Sequence, residues 1–196
     1  IGVTNIGNGV FSQCTNLTEI TIPDSVVNIE DCAFLECTNL KTVNLPYGIK
    51  EINRCTFMDC TSLIEITIPD SVTKIGDYAF QGCKSLAEVN IPDSVTDIGI
   101  SAFCHCESLT EITIPDSVTS IGHGAFHSCS NLREITLPEQ VWIYTAEDSG
   151  VYSVYTDLNG DNVYLLHNGG PDKVIYNIGY RKFEFVRYDD RFRISQ

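Results

Sequence analysis

The sequence predicts an α/β solenoid of 23-residue coils, each adding a short strand to one parallel face and a short helical turn to the other, followed by a small β-rich C-terminal cap. Three periodicities predict it. Pro23, Pro46, Pro69, Pro92, Pro115 and Pro138 stand 23 residues apart. Cys14, Cys37, Cys60, Cys83, Cys106 and Cys129 keep the same step, as do Phe11, Phe34, Phe57, Phe80, Phe103 and Phe126. Self-similarity of this period is the signature of stacked repeats.

Full copies of the repeat start at Ile22, Leu45, Ile68, Ile91 and Ile114, each at the residue before proline. Another begins at Leu137 and dissolves after Val141, while Val3, Ile6, Gly7 and Phe11 fit the template upstream. Ile1 therefore lies inside a repeat, and the first coil is expected to lack a cap of its own, which solenoid ends normally need. The expected organisation is a solenoid of about six coils, the first partial, over residues 1–143. A β-rich cap or small module then covers 144–196.

Within a coil the strand comes from Leu109 to Pro115. Ile112 and Ile114 alternate with Glu111 and Thr113, placing isoleucines inward and polar residues outward. Pro115, with no amide to donate, ends the strand. Val118 and Ile121 then point inward round a corner, for which Gly122 supplies backbone freedom. Ala125, Phe126 and Cys129 have the spacing of one helical turn with an apolar inner face, and Leu132 closes the coil. A lone coil would not fold, since burying a large aliphatic side chain yields roughly 1.5–3 kcal/mol while ordering each residue costs roughly 1–2 kcal/mol. Stacking lets neighbours share apolar faces and strand hydrogen bonds.

The row Ile112, Ile114, Pro115, Ser117, Val118, Ile121, Gly122, Ala125, Phe126, Cys129 and Leu132 closely resembles the BspA-type, or Treponema-type, leucine-rich repeat. The resemblance covers roughly residues 1–141. It implies a curved, non-catalytic domain, usually in surface proteins that adhere to host matrix, other cells or polymers. Departures are local: Gly48 and Gln140 stand in for the serine, Glu30 and Asn53 for the glycine, and Thr56 for the alanine.

Composition agrees with a folded, non-nucleic-acid-binding chain. The net charge is −14, adverse to nucleic acid and anionic membranes. Apolar residues are too plentiful for disorder, and no apolar run is long enough to span a bilayer. Eighteen of the 26 acidic residues precede residue 144, against six basic ones, so the charge belongs mainly to the solenoid.

Two acidic rows recur. Glu19, Glu65, Glu88, Glu111 and Glu134 share one strand position, with Thr42 in the gap. Asp24, Asp70, Asp93, Asp116 and Glu139 follow the strand, with Tyr47 interrupting. A third row, including Thr67, Asn90 and Thr113, completes the outward strand face. These residues form the candidate concave binding face: Glu19, Glu65, Glu88, Glu111, Glu134, Thr67, Asn90 and Thr113. Its partner would be a protein or polymer, basic or calcium-bridged; the competing reading is consensus residues copied onto a solvated face. The strand face hardly varies between coils, whereas the turn varies at Cys32, Cys55, Tyr78, Ser101 and Gly124. Uniformity suits a repetitive ligand or none.

The six in-phase cysteines should form a buried thiol ladder, since free cysteine behaves as a small apolar residue. Cys32 and Cys55 are also one period apart and could touch across coils, with a disulfide as the minor reading and two free thiols as the major one. Such unpaired thiols suit a reducing compartment better than an oxidising one. His123, His127 and Cys129 lie near Cys104, His105 and Cys106, residue types that bind zinc. The spacing matches no standard finger, and Cys106 and Cys129 are needed inside. No metal site and no cofactor are expected.

After about Tyr144 the period is lost, tyrosine becomes frequent and cysteine disappears. Strands are expected over 151–158, 162–167, 174–180 and 182–188, the first two joined at Asn159-Gly160, a strong hairpin signal. Trp142 and Tyr144 are expected to pack the cap against the last coil. Asp157-Leu158-Asn159-Gly160-Asp161 also resembles the start of a calcium loop, but Asn162 and Asn168 stand where glycine and an acid are required.

No nucleophile–base pair or phosphate-cradling loop occupies a unique position, so no enzyme is expected. The leading reading is a non-catalytic adhesion or interaction module of a surface or secreted protein. The alternatives are a spacer or scaffold with specificity in the C-terminal segment, and an intracellular, cytoplasmic interaction protein.

Overall fold

The computed structural model describes residues 2–136, residues 142–143 and strands between residues 151 and 195, with side chains as far as residue 133. Two kinds of short strand alternate along the solenoid. Two-residue strands are β1 (Asn5–Ile6), β3 (Asn28–Ile29), β5 (Glu51–Ile52), β7 (Lys74–Ile75), β9 (Asp97–Ile98), β11 (Ser120–Ile121) and β13 (Trp142–Ile143). Three-residue strands are β2 (Glu19–Thr21), β4 (Thr42–Asn44), β6 (Glu65–Thr67), β8 (Glu88–Asn90), β10 (Glu111–Thr113) and β12 (Glu134–Thr136).

The pairings among them are parallel and step by about one repeat, as in Ile20↔Val43 and Ile66↔Val89 for the longer strands. Ile52↔Ile75 and Ile75↔Ile98 show the same for the shorter ones. Each coil therefore contributes to two parallel sheets. The sequence pattern shows only the first, because two residues are too few to display an alternation. In β1, β3, β5, β7, β9 and β11 the isoleucine is buried and its neighbour is exposed or partly so, which a corner residue pointing inward resembles.

The expected helical turn takes a different form: the described residues contain turns there and no helix. In the coil from Gly99 to Cys106, alternate amides close four-residue turns, from Ala102 to Gly99 O (3.3 Å), Cys104 to Ser101 O (3.1 Å) and Cys106 to Phe103 O (3.2 Å). The amides between them reach the next coil, from Ser101 to His123 O (2.9 Å), Phe103 to Ala125 O (2.8 Å) and His105 to His127 O (2.8 Å). A helix would keep all these donors within one coil; here half of them tie neighbours together. The apolar spacing fits either path.

Two left-handed residues per coil make the zigzag. One column holds Gly9, Cys32, Cys55, Tyr78, Ser101 and Gly124, with φ from 51° to 63°. The other holds Gln13, Glu36, Asp59, Gly82, His105 and Ser128, with φ from 57° to 72°. Both columns vary in sequence, yet each is fixed by its backbone angle.

Inside, the ladder phenylalanines stack with ring centroids 5.2–5.5 Å apart and planes within 5–11° of parallel. Ala33, Ala79, Ala102 and Ala125 pack beside them, fully buried. Thr56 fits the same niche because its hydroxyl donates to Asn53 O at 2.7 Å. The repeat glycines serve close approach rather than a special φ. A Cβ on Gly99 would stand 2.5 Å from Asp77 N and 2.6 Å from Gly76 C. At the start of the array Phe11, Cys14, Leu17 and Ile20 are only partly buried, and Val3 and Val10 are exposed.

In the C-terminal part, β14 (Val151–Thr156) and β15 (Asn162–Leu166) pair antiparallel, ending at Thr156↔Asn162. β16 (Lys173–Ile178), β17 (Arg181–Tyr188) and β18 (Arg191–Ser195) form a second antiparallel sheet. The first four follow the expected segments within a few residues; β18 was not expected. The Asn159-Gly160 turn, the calcium-loop sequence at 157–161 and Tyr144 lie outside the described residues.

Candidate binding face

The longer strands carry the acidic rows outward. In β6, β8 and β10 the central Ile66, Val89 and Ile112 are buried, while Glu65, Thr67, Glu88, Asn90, Glu111 and Thr113 are exposed. Glu19 is likewise exposed at the start of β2. Register places Glu65 opposite Glu88 and Glu111 opposite Glu134, so like charges face each other along the ladder. Thr67 lies opposite Asn90, and Asn44 donates to Thr21 Oγ1 at 3.1 Å. Among the described residues the one salt bridge joins Lys84 to Glu107 at 3.1 Å, outside these strands. The strand carboxylates are therefore left to solvent. Asp24, Asp70, Asp93 and Asp116 form the second exposed row beside them, and Tyr47, 77% exposed, breaks it. The side chains of Glu134 and Glu139 are outside the described set.

The two-residue strands present a row the sequence reading missed: Asn5, Asn28, Glu51, Lys74, Asp97 and Ser120. It differs in charge from coil to coil. Asn28 donates to Asn5 Oδ1 at 2.7 Å, and Asp97 accepts from Ser120 Oγ at 2.5 Å and from Thr96 Oγ1 at 2.6 Å. The hydrogen bond from Ser120, then that from Thr96, hold the Asp97 carboxyl below the ordinary carboxylate range. The recurring Ile-Gly after a polar residue was the available signal for this row.

All nine cysteines are free thiols. Five ladder members do more than fill space. Cys37, Cys60, Cys83, Cys106 and Cys129 each donate Sγ–H to the phenylalanine carbonyl of the preceding coil, at 3.0–3.3 Å. Phe57 O, for example, accepts from the Cys60 amide at 3.1 Å and the Cys83 thiol at 3.1 Å. Burial pushes the Cys83, Cys106 and Cys129 thiols up. The same is true of Cys104, pushed up to about 11. Hydrogen bonding with Cys37 does most to push Cys60 up, with burial adding to it.

Cys106 and Cys129 are consequently committed to the core. His105 and His127 meet edge-on with centroids 5.8 Å apart. Among the described residues no group of three or more His, Cys, Asp or Glu is placed to hold a metal ion. No helix among them is long and apolar enough to cross a membrane.

In-register parallel coils, a strand-lined face and a phenylalanine–cysteine interior define a leucine-rich repeat solenoid. The chain belongs to the BspA-type leucine-rich repeat family, matching the family described as BspA type leucine rich repeat region in six copies over residues 4–106 and 50–149. It is similar to a leucine-rich repeat protein of Treponema pallidum, at 37% identity and TM-score 0.69 over 72% of this chain and 66% of that one. A leucine-rich repeat protein of Bacteroides ovatus matches at 29% identity and TM-score 0.58 over 80% of this chain and 46% of that one. The chain thus spans less of these relatives than they span of it. None of the curated proteins compared with it matches.

Proposed function

We propose that the solenoid is a non-catalytic interaction module of a surface or secreted protein, binding a protein or polymer through the face of the longer strands. The observation that carries the reading is the exposed, in-register row Glu19, Glu65, Glu88 and Glu111, whose carboxylates have no ion-pair partner among the described residues. Beside them Thr67, Asn90 and Thr113 offer hydroxyls and amides. A periodic anionic ladder suits a cationic or calcium-bridged partner that repeats along its length. Family membership supports an interaction scaffold in general; adhesion and the surface location extend it.

The nine free thiols favour a second reading, an intracellular interaction protein. The uniformity of the Glu row leaves room for a third, a spacer whose specificity lies in residues 144–196. The test is a binding screen of the full chain against extracellular-matrix proteins and a cationic polypeptide, repeated after reversing Glu88 and Glu111 to lysine. The proposal expects binding that weakens on reversal and with rising salt. Binding unchanged by the reversal would remove the strand face from the reading, and loss on deleting residues 144–196 from a still-folded solenoid would favour the spacer.

A further inference from the structure

Three thiols stand outside the ladder: Cys32, Cys55 and Cys104. Two of them are neighbours. Cys32 and Cys55 occupy equivalent left-handed positions in adjacent coils, with φ of 57° and 54°. Their backbones are joined directly, since the Cys32 amide donates to Arg54 O at 2.9 Å. Two residues further on, the Phe34 and Phe57 rings stand 5.4 Å apart, which measures the local coil spacing. Hydrogen-bonded neighbours at such a spacing fall inside the Cα range that a disulfide spans. Burial, followed by the charge of Cys32, raises the Cys55 thiol.

The fold requires a left-handed backbone in this column but no thiol, since other coils hold Gly9, Tyr78, Ser101 and Gly124 there. Ladder cysteines each donate Sγ–H to a phenylalanine carbonyl one coil back; no such bond is made by Cys32 or Cys55. They also differ in access. Cys32 is partly exposed, whereas Cys55 is buried, at 6%.

We propose that Cys32 and Cys55 form a reversible dithiol–disulfide staple between adjacent coils, oxidised by a small-molecule disulfide such as oxidised glutathione. The partly exposed Cys32, as thiolate, attacks one sulfur of the small disulfide; its S–S bond breaks and one small thiol leaves. Cys55 gives its proton to solvent and its thiolate attacks Cys32 Sγ. The mixed disulfide breaks and the second small thiol leaves. Two protein thiols are oxidised and one disulfide is reduced to two thiols, so no further oxidant is required. Because burial, and then the neighbouring Cys32, disfavour ionisation of Cys55, it acts as the resolving thiol, and closure accelerates as pH rises. The staple closes a loop of about one repeat, constraining the unfolded chain more than the folded one.

The test incubates the full chain with oxidised glutathione, quenches with an alkylating agent and maps cysteines by peptide mass spectrometry. The proposal expects a Cys32–Cys55 linked peptide, a higher Tm than the reduced protein, and reversal of both by reduced glutathione. Cys32→Ala should abolish the Tm shift, and Cys55→Ala should leave a stable glutathione adduct on Cys32. A persistent glutathione adduct on Cys32 in the unmutated chain would overturn the proposal. So would a Cys32 that stays reduced, or one that links to a second copy of the chain, whatever happens at the partly exposed Cys14.

Discussion

The turn side and the strand side of each coil repeat with similar regularity, yet different forces hold their sequences. On the turn side nearly every recurring residue answers to a contact. Phenylalanine stacks on phenylalanine, the cysteine thiol donates to the carbonyl one coil back, and glycine admits the preceding backbone. Ser71 and Ser94 donate across coils to Ile49 O and Val72 O, each at 2.6 Å. On the strand side the inward isoleucines answer to packing, while the glutamates face one another in register against Coulomb repulsion. Regularity on the turn side is therefore explained by folding. On the strand face it requires another explanation, either binding or the copying of whole repeats.

The largest test of this contrast is Phe57→Ala. Phe57 is fully buried between Phe34 and Phe80, so truncation removes two stacking contacts and leaves a cavity. A loss of about 3–5 kcal/mol is expected by denaturant unfolding. Phe11→Ala, at the partly buried start of the array, should cost well under half of that. Equal costs would mean that burial does not set the ladder's contribution.

Gly99→Ala comes next. Its new methyl would meet Asp77 N at 2.5 Å and backbone on either side, so the coils must part locally, at about 1–3 kcal/mol. Gly48→Ala is the control: there the nearest atoms are Val27 Cγ1 at 3.4 Å and Val26 O at 3.8 Å, ordinary contacts. That change should be neutral or slightly stabilising in thermal unfolding. A neutral Gly99→Ala would show that the inter-coil approach is softer than the hydrogen bonds across it suggest.

These glycines mark where the sequence was legible and where it was not. Period, phase and the inward residues could be read because each inward position recurs six times with the same chemistry. The role of Gly99 could not, because a corner glycine and a close-approach glycine look alike in one dimension. The second sheet was hidden because a two-residue strand has no period, and the helical turn was misread because spacing alone does not say which carbonyl an amide reaches. Glu65, Glu88 and Glu111 were placed correctly on the exposed face by strand alternation. What they bind is not encoded in alternation.

Ser101 isolates the cost of the left-handed backbone. Its φ is 51°, and the next coil has Gly124 in the same column at 63°. Ser101→Gly relieves the steric penalty of a β-carbon there but loosens the unfolded chain, so the net change should lie between zero and about 1 kcal/mol of stabilisation. Ser101→Val should destabilise, because a branched β-carbon suits that region least. Equal tolerance of glycine and valine would show that the column varies because its backbone is undemanding.

The smallest effect concerns the strand face itself. Glu88→Lys turns the Glu65–Glu88 pair from repulsive to attractive without touching the buried Val89 between the ladders. Stability should rise by a few tenths of a kcal/mol, less at high salt. If folding alone had chosen this row, the lysine would already be the better residue there. A variant that is at least as stable as the parent, and that has lost affinity for a ligand bound by the parent, would assign the repulsion to function. Destabilisation by more than about 1 kcal/mol would instead mean that Glu88 has a structural partner, and the contrast between the two sides would fail.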